Sequence, residues 1–249
     1  MNLLAFDTST DVMSIAVQRG AGAQGGEGQI WEHTAAGGAQ ASTALIPAIQ
    51  KLMHQAGLVF GELDAVAFGR GPGSFTGLRT ACSVAQGLAF GAGVPVLPVD
   101  TLLAVAEEAR HQQGLTAQTG AAGEGFRVLA ALDARMDEVY AEYYEYSSKL
   151  WMQHKGYSLI SPEKLVLEDG WAIAGNAFAA YGDRLPSSAA MRIHAWPTAG
   201  AMLRLAPAVL AAGSAVPAAQ ALPLYIRDKV AKTTRERLLE KASHTPTIP

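Results

Sequence analysis

The chain has 249 residues, of which 49% are hydrophobic and 16% are charged, and its formal net charge is -3. This length is sufficient for one large domain or for two smaller lobes with hydrophobic cores. The slightly acidic balance excludes a strong electrostatic surface for nucleic acid, so any RNA contact should depend on another molecule. The single cysteine, Cys82, cannot form an internal disulfide, which fits a reducing compartment.

Neither the start of the chain nor its apolar segments indicates secretion or membrane insertion. The stretch MNLLAFDTSTD has no basic segment before its first acidic residue, so we expect no signal peptide. The most apolar region, 199–221, is interrupted by Arg204 and two prolines, whereas a membrane span needs about 18 uninterrupted apolar residues. We therefore expect a soluble, cytoplasmic protein without membrane contact.

The first half of the chain alternates between strand-like and helix-like segments. Apolar runs at 3–6 and 13–17 flank the polar cluster Asp7-Thr8-Ser9-Thr10-Asp11 and predict a hairpin with a polar tip. The later predicted elements are a strand at 30–33, a helix at 40–56, a strand at 65–68, a helix from 75, a strand at 94–99 and a helix from 101. This order indicates a mixed sheet covered by helices.

The stretch FGRGPGSFTGLRTA at 68–81 places a glycine-rich loop between a strand and a helix. Such a loop is suited to anions, because free backbone N–H groups and the positive helix end converge there. The sequence of this loop does not match the known phosphate-binding motifs. It lacks the Gly-Lys pair of a P-loop and the third glycine of a dinucleotide-binding fingerprint. The loop is therefore a weak nucleotide signal.

The helix after this loop carries two rows of small residues at intervals of four. One row is Gly77, Ala81, Ala85 and Ala89, and the other is Ser83, Gly87 and Gly91. Helices approach to about 8 Å only where the contacting side chains are small, and glycine within a helix costs about 1 kcal/mol relative to alanine. The pattern indicates a tight helix contact, either within this fold or with a second protein.

The second half of the chain contains a segment with weak sequence similarity to the first half. LAALDARMDEVYAEY at 129–143 aligns without gaps on LLAFDTSTDVMSIAV at 3–17, with Asp133 on Asp7. We favour a duplication over two unrelated hairpins, because the element types agree as well as the letters. The predicted units are an N-terminal lobe at 1–112, a C-terminal lobe at 126–226 and a charged tail at 227–249 that either packs back on the N-terminal lobe or is disordered.

Duplicated hairpins with polar tips are typical of the α/β fold of actin, Hsp70 and the sugar kinases, which is RNase H-like and has two lobes of mixed sheet with helices. In that fold the hairpins face the phosphates of ATP, and the first aspartate holds a metal or orients water. The positions predicted to face a vestigial nucleotide site are Asp7, Thr8, Ser9, Gly71, Gly73 and Asp133. An ATPase or phosphotransferase that uses Asp7 and Asp133 remains the alternative function, and simple capping of the turn is the structural alternative.

No other set of residues suggests catalysis or metal binding. The six histidines have no metal-ligand spacing, and neither HExxH nor GxSxG occurs. We therefore predict no catalytic residues, no metal and no cofactor bound by this chain.

Three strings resemble one known family: LLAFDTST, GRGPGSFTGLRTACSVAQGLAFGAGVPVLPVDTL and LPLYIRDKVA. They resemble the TsaB (YeaZ) family of tRNA threonylcarbamoyladenosine biosynthesis proteins, closely over the N-terminal half and more loosely beyond it. The resemblance implies the actin-like fold and no independent catalysis. It also implies pairing with the paralogue TsaD, which transfers threonylcarbamoyl to N6 of the tRNA adenosine 3′ of the anticodon, together with the ATPase TsaE.

The resemblance also implies where partners bind and what the chain lacks. The first two helices form the dimer contact, so the expected interface residues are Ser42, Leu45, Ile46, Ile49, Thr76, Arg79, Thr80, Ser83 and Gly87. The His-xxx-His metal pair of TsaD falls on Thr101 and Val105, so ATP, metal and tRNA are expected to be handled by the partners. The family was once grouped with glycopeptidases, but nothing in this sequence supports that label, so we expect no peptidase activity. Ala41 replaces a histidine usual in the family, and a homodimer is possible when the partner is absent.

Overall fold

The computed structural model describes residues 1–20, 28–115 and 125–227. The predicted glycine-rich loop at 20–28, the boundary segment at 117–125 and the tail beyond Arg227 lie mostly outside the described residues. The element order follows the prediction in both halves of the chain. The strands and helices of the first half are β1 (Leu3–Asp7), β2 (Val12–Arg19), β3 (Gln29–Ala36), α1 (Ala41–Gln55), β4 (Ala65–Gly71), α2 (Phe75–Ala92), β5 (Val96–Asp100) and α3 (Thr101–Gln112).

The second half repeats this arrangement, with the four-residue helix α4 where the first half has the 18-residue helix α2. Its elements are β6 (Phe126–Asp133), β7 (Val139–Ser147), β8 (Leu150–Gln153), β9 (Ser158–Ile160), β10 (Ala172–Gly175), α4 (Phe178–Tyr181), β11 (Arg192–His194) and α5 (Ala199–Ala211). No α-helix among the described residues stands between β9 and β10, where α1 stands in the first half.

The two sheets have the same topology, which confirms the predicted duplicated α/β fold. The first sheet has the order β3-β2-β1-β4-β5, and the second has β11-β10-β6-β7-β8 with β9 also paired to β7. In the first sheet β1 pairs antiparallel with β2 and parallel with β4. In the second sheet β6 pairs in the same way with β7 and β10. The gapless alignment of the two hairpins is wrong by one residue in the second strand. It sets Tyr140 on Ser14, the residue that pairs with Asp7, whereas Asp133 pairs with Val139.

Helices α1 and α2 cover one face of the first sheet. Their core-facing side chains, which include Leu45, Ile49 and Ala85, pack on strand residues such as Phe6 and Phe68. Ser74 caps α2 by accepting a hydrogen bond from the N–H of Gly77, as is usual for a serine at an N-cap. Pro47 lies inside α1 and not in its first turn, where a proline is best tolerated.

The last helix of each half packs against the sheet of the other half. Helix α5 lies on the open face of β1, β2, β4 and β5, whereas α3 lies on β6, β7 and β10. The chain after α5 then returns to the first lobe, because Val216 bridges to Val96 of β5. The ranges 1–112 and 126–226 thus separate the two sheets but not the helices that cover them.

Candidate functional site

The glycine-rich loop contacts the tip of the β1–β2 hairpin. A Cβ atom at Gly73 would lie 2.6 Å from the Cβ atom of Ser9, and one at Gly77 would collide with the carbonyl of Thr8. The hairpin is also hydrogen-bonded to the loop, since the N–H of Ser74 donates to the carbonyl of Ser9 at 2.7 Å. These glycines therefore serve close packing between two parts of the same lobe.

The carboxyl group of Asp7 is enclosed at the base of this tip. It is fully buried, and a Cβ atom at Gly69 would overlap its Oδ2 atom. Oδ1 accepts hydrogen bonds from the N–H and the hydroxyl of Ser9, whereas Oδ2 has no partner. Burial raises the pKa of Asp7 to about 7, against the smaller opposing effect of the Ser9 hydrogen bonds.

The other face of the loop is covered by the segment that follows α5. The carbonyl of Leu224 would lie 2.5 Å from a Cβ atom at Gly71, and the N–H of Leu224 donates to the carbonyl of Arg70 at 2.6 Å. Farther along, the carbonyl of Ala221 accepts hydrogen bonds from Gln86 and Cys82 of α2. We call residues 214–227 the strap, because this segment runs along α2 and ends on the second lobe.

A cleft of about 380 Å³ lies between the two hairpin tips. Of the residues predicted to face a vestigial nucleotide site, Ser9, Gly73 and Asp133 line this cleft. Asp7, Thr8 and Gly71 do not line it, which corrects the prediction for these three. The physical reason is that Asp7 and Thr8 are buried where the loop packs on the hairpin tip, whereas Gly71 is covered by Leu224 of the strap.

The second hairpin tip is held by its own side chains. Asp133 Oδ1 accepts hydrogen bonds from the hydroxyl of Tyr181 and the N–H of Arg135, both at 2.8 Å. Arg135, Met136 and Asp137 have φ angles of 60°, 55° and 64°, a left-handed conformation that is unfavourable for residues other than glycine. Arg227 of the strap donates to the carbonyl of Ala134 and pairs with Glu138. The strap thus joins α2 to this tip.

The second row of small residues on α2 lies on the surface. Ser83, Gly87 and Gly91 are exposed, and a Cβ atom at either glycine would have no neighbour within 4 Å. The first row, from Gly77 to Ala89, is buried in the lobe. The predicted interface residues Thr76, Arg79, Ser83 and Gly87 are therefore accessible, and Thr80 is half-buried.

Helix α1 presents a different set of residues from the one predicted. Ser42 and Ile46 are exposed, and the side chain of Ile46 is 45% accessible. Leu45 and Ile49 are buried in the core of the first lobe, so their assignment to the partner-facing surface is corrected. They lie on the apolar face of α1, and the sheet already covers that face.

The chain is similar over most of its length to one family of proteins. The family profile described as "TsaD: tRNA N6-adenosine threonylcarbamoyltransferase" matches residues 29–246. The tRNA threonylcarbamoyladenosine biosynthesis protein TsaB of Escherichia coli K12 is 32% identical over 240 residues, which cover 93% of this chain and 96% of that protein. The chain belongs to the TsaB family.

A solved structure and a transferase relative agree with this assignment to TsaB. YeaZ from Pseudomonas aeruginosa superposes with a TM-score of 0.77 and 36% identity, covering 90% of this chain and 99% of that one. The tRNA N6-adenosine threonylcarbamoyltransferase of Methylobacterium nodulans is 34% identical over 131 residues, which cover only 46% of this chain and 37% of that protein. The match to this transferase covers less than half of the chain, whereas the match to TsaB covers nearly all of both proteins.

Thr101 and Val105, on which the resemblance places the metal-binding histidines of TsaD, are both buried in this TsaB family member. Thr101 is fully buried, and its hydroxyl oxygen accepts a hydrogen bond from the N–H of Gly71 at 3.1 Å. Val105 is buried between α3 and the second sheet. Neither side chain offers an imidazole nitrogen, and both are enclosed by packing.

The sequence interpretation missed Phe90, whose ring is 83% exposed one residue before Gly91. A phenylalanine outside the apolar face of an amphipathic helix is a signal that could have identified it. Phe90 lies on the same exposed side of α2 as Ser83 and Gly87. Among the described residues, no helix is both long and apolar enough to cross a membrane.

Proposed function

We propose that this chain is a non-catalytic partner subunit of a TsaD-type transferase. It acts with a TsaE-type protein in the transfer of threonylcarbamoyl to N6 of the tRNA adenosine 3′ of the anticodon. The observation that carries the proposal is the exposed stripe of Ser83, Gly87 and Gly91 on α2. Membership of the TsaB family supports it.

The geometry of this stripe suits a helix of another protein. Helix axes approach to about 8 Å where small side chains meet, and no atom of the described residues lies within 4 Å of a Cβ placed at Gly87 or Gly91. Phe90 and Arg79 border the stripe on α2, and Ile46 is exposed on α1; all three side chains can contact a partner. Such a face lowers the stability of the chain on its own, because glycine is unfavourable within a helix and the ring of Phe90 is in contact with water.

The catalytic chemistry belongs to the partners in this proposal. Thr101 and Val105 replace the metal-binding pair, so ATP, metal and tRNA are bound by the complex rather than by this chain alone. The net charge of -3 supports contact with tRNA only through the complex. We place the protein in the cytoplasm, and we assign it no peptidase activity.

The alternative, an ATPase or phosphotransferase, is less well supported. Asp133 lines the cleft, but Asp7 is enclosed under Gly69 and cannot reach a metal ion there without rearrangement. Calorimetry with ATP and magnesium distinguishes the two functions. Micromolar binding that Asp7→Ala abolishes would favour the enzyme.

A bulky substitution in the stripe tests the proposal. Gly87→Trp should weaken association with the cognate TsaD-type protein at least tenfold in sedimentation velocity, because the indole occupies the space of the partner helix. The circular dichroism spectrum should not change, since the site is open in the lone molecule. A threonylcarbamoylation assay of the reconstituted proteins should lose activity in parallel.

Ser187→Trp is the matched control, because this exposed residue lies on the second lobe. It should bind and support modification as the unmodified chain does. Lack of any association between the unmodified chain and the TsaD-type protein would contradict the proposed function. Self-association of the lone chain that Gly87→Trp also disrupts would show that a homodimer uses the same face.

A further inference from the structure

Three side chains form an ordered cluster at the start of α2. The Arg79 guanidinium lies 3.9 Å from the ring centroid of Phe75, and Arg79 Nε donates to the hydroxyl of Tyr225 at 3.3 Å. The rings of Phe75 and Tyr225 are 5.3 Å apart at 37°. We call Phe75, Arg79 and Tyr225 the aromatic–arginine cluster.

The cluster is held from both sides although it is exposed. Phe75 and Arg79 stand one turn apart on α2, next to the capping residue Ser74. Tyr225 belongs to the strap, which the hydrogen bond between Leu224 and Arg70 fixes to the loop. Phe75 and Tyr225 nevertheless remain 39% and 45% accessible. The entropy cost of ordering these side chains is therefore largely met before any partner binds.

The cluster lacks a counter-charge. Within 1–20, 28–115 and 125–227, no carboxylate forms an ion pair with Arg79, although most other arginines there have one. Arginine and tyrosine are enriched among the residues that contribute most to protein–protein affinity. A cation that is stacked, ordered and unpaired fits a carboxylate set on an apolar surface.

We propose that the aromatic–arginine cluster is the main anchor for the TsaD-type partner, and that it receives an acidic side chain of that protein. This inference rests on the proposed function, since Arg79 lies on the same exposed side of α2 as Thr76 and Ser83. It adds the strap residue Tyr225 and the ring of Phe75 to the docking surface, which then extends beyond the two helices. Through Arg227 the same strap contacts the second hairpin tip.

A protein partner fits the cluster better than RNA does. Binding to the phosphate backbone requires several cations along a groove, whereas Arg79 is the one cation of this cluster. The exposed groups beside it on α2 are a threonine, a serine and glycines. These are suited to a helix and not to a polyanion.

Isothermal titration calorimetry with the purified TsaD-type protein tests the inference. Arg79→Ala and Tyr225→Ala should each weaken binding at least tenfold, and Arg79→Lys should be intermediate because it keeps the charge but loses the planar stacking. Binding of the unmodified chain should weaken with added salt more steeply than binding of Arg79→Ala. Thermal unfolding of each variant checks the fold, and Arg79→Lys remains informative if an alanine variant unfolds.

Arg127→Ala is the control, since it removes an exposed arginine of the second lobe that pairs with Glu145 at 3.6 Å. Affinity within twofold of the unmodified chain for Arg79→Ala, or an equal loss for Arg127→Ala, would overturn the inference. So would a loss of tRNA binding by Arg79→Ala with TsaD binding intact. If the unmodified chain itself does not bind the TsaD-type protein, the proposed function fails, and not only this inference.

Discussion

At the scale of single residues, Asp7 shows how close packing changes the chemistry of an acid. Among the described residues, Oδ2 of Asp7 is buried without a hydrogen-bond partner. An ionised carboxylate in that place would lack solvation, so the neutral form is favoured. The ordinary pKa of 3.8 rises to about 7 for this reason.

We predict that Asp7 makes stability depend on pH. Between pH 4 and pH 7 the folded state retains a proton that the unfolded chain has lost, so the free energy of unfolding falls as pH rises and levels off above pH 7. Asp7→Asn removes this dependence. The stability of the variant relative to the unmodified chain should therefore increase across that range, by on the order of 4 kcal/mol at most. Urea unfolding at several pH values measures the difference.

Asp11→Asn provides the comparison, because Asp11 is the exposed acid at the other end of the same tip. It makes the same chemical change in solvent. If the free energy of unfolding varied with pH in the same way for Asp7→Asn and for the unmodified chain, the carboxyl group of Asp7 would be hydrated in solution and not enclosed.

At the scale of elements, the two rows of small residues on α2 have opposite surroundings. Gly77 is in contact with the hairpin tip, whereas Gly87 is open to solvent. The first row must consist of small residues because the fold packs against it. Nothing described in this fold requires small residues in the second row. The second row is thus free to serve a contact outside the chain.

Alanine substitutions should separate these two roles. Gly87→Ala should stabilise the lone chain by about 0.5–1 kcal/mol, because alanine is the better helix former and its Cβ meets nothing. Gly77→Ala should destabilise it by roughly 1–3 kcal/mol, because the Cβ atom would collide with the Thr8 carbonyl. Chemical denaturation of the two variants checks this, and a change of the same sign in both would refute the distinction.

The element pattern was predictable because it depends on local spacing. The polar cluster between 3–6 and 13–17 predicted the first hairpin, and the glycine-rich stretch at 68–81 predicted a helix from 75. The orientation of α1 was not predictable in the same way, since spacing defines its apolar face but not which molecule covers it. Leu45 was therefore assigned to the wrong surface, and the contact of Phe75 with Tyr225, 150 residues apart in sequence, had no local signal.

At the scale of the whole molecule, the exchange of α3 and α5 joins the two lobes. Glu107 of α3 is 3% exposed and accepts hydrogen bonds from Arg110, from Arg204 of α5 and from Trp151 of β8. Burial alone would raise the pKa of Glu107, but the bond from Arg110 and the neighbouring donors outweigh it and lower the pKa. A second link is Asp100, which bonds both Arg70 and Tyr157.

These contacts predict that the lobes unfold together. Each sheet lacks a cover without the helix from the other half, so neither lobe retains a complete core alone. Scanning calorimetry should show one transition whose calorimetric and van't Hoff enthalpies agree. Glu107→Ala should lower the stability by about 3–5 kcal/mol, because it leaves the largely buried guanidinium of Arg110 without its carboxylate partner, and it should shift that single transition as a whole. Arg127→Ala, which alters an exposed pair within the second lobe, should leave the midpoint in place, whereas two separate transitions in the unmodified chain would mean that the exchanged helices do not couple the lobes.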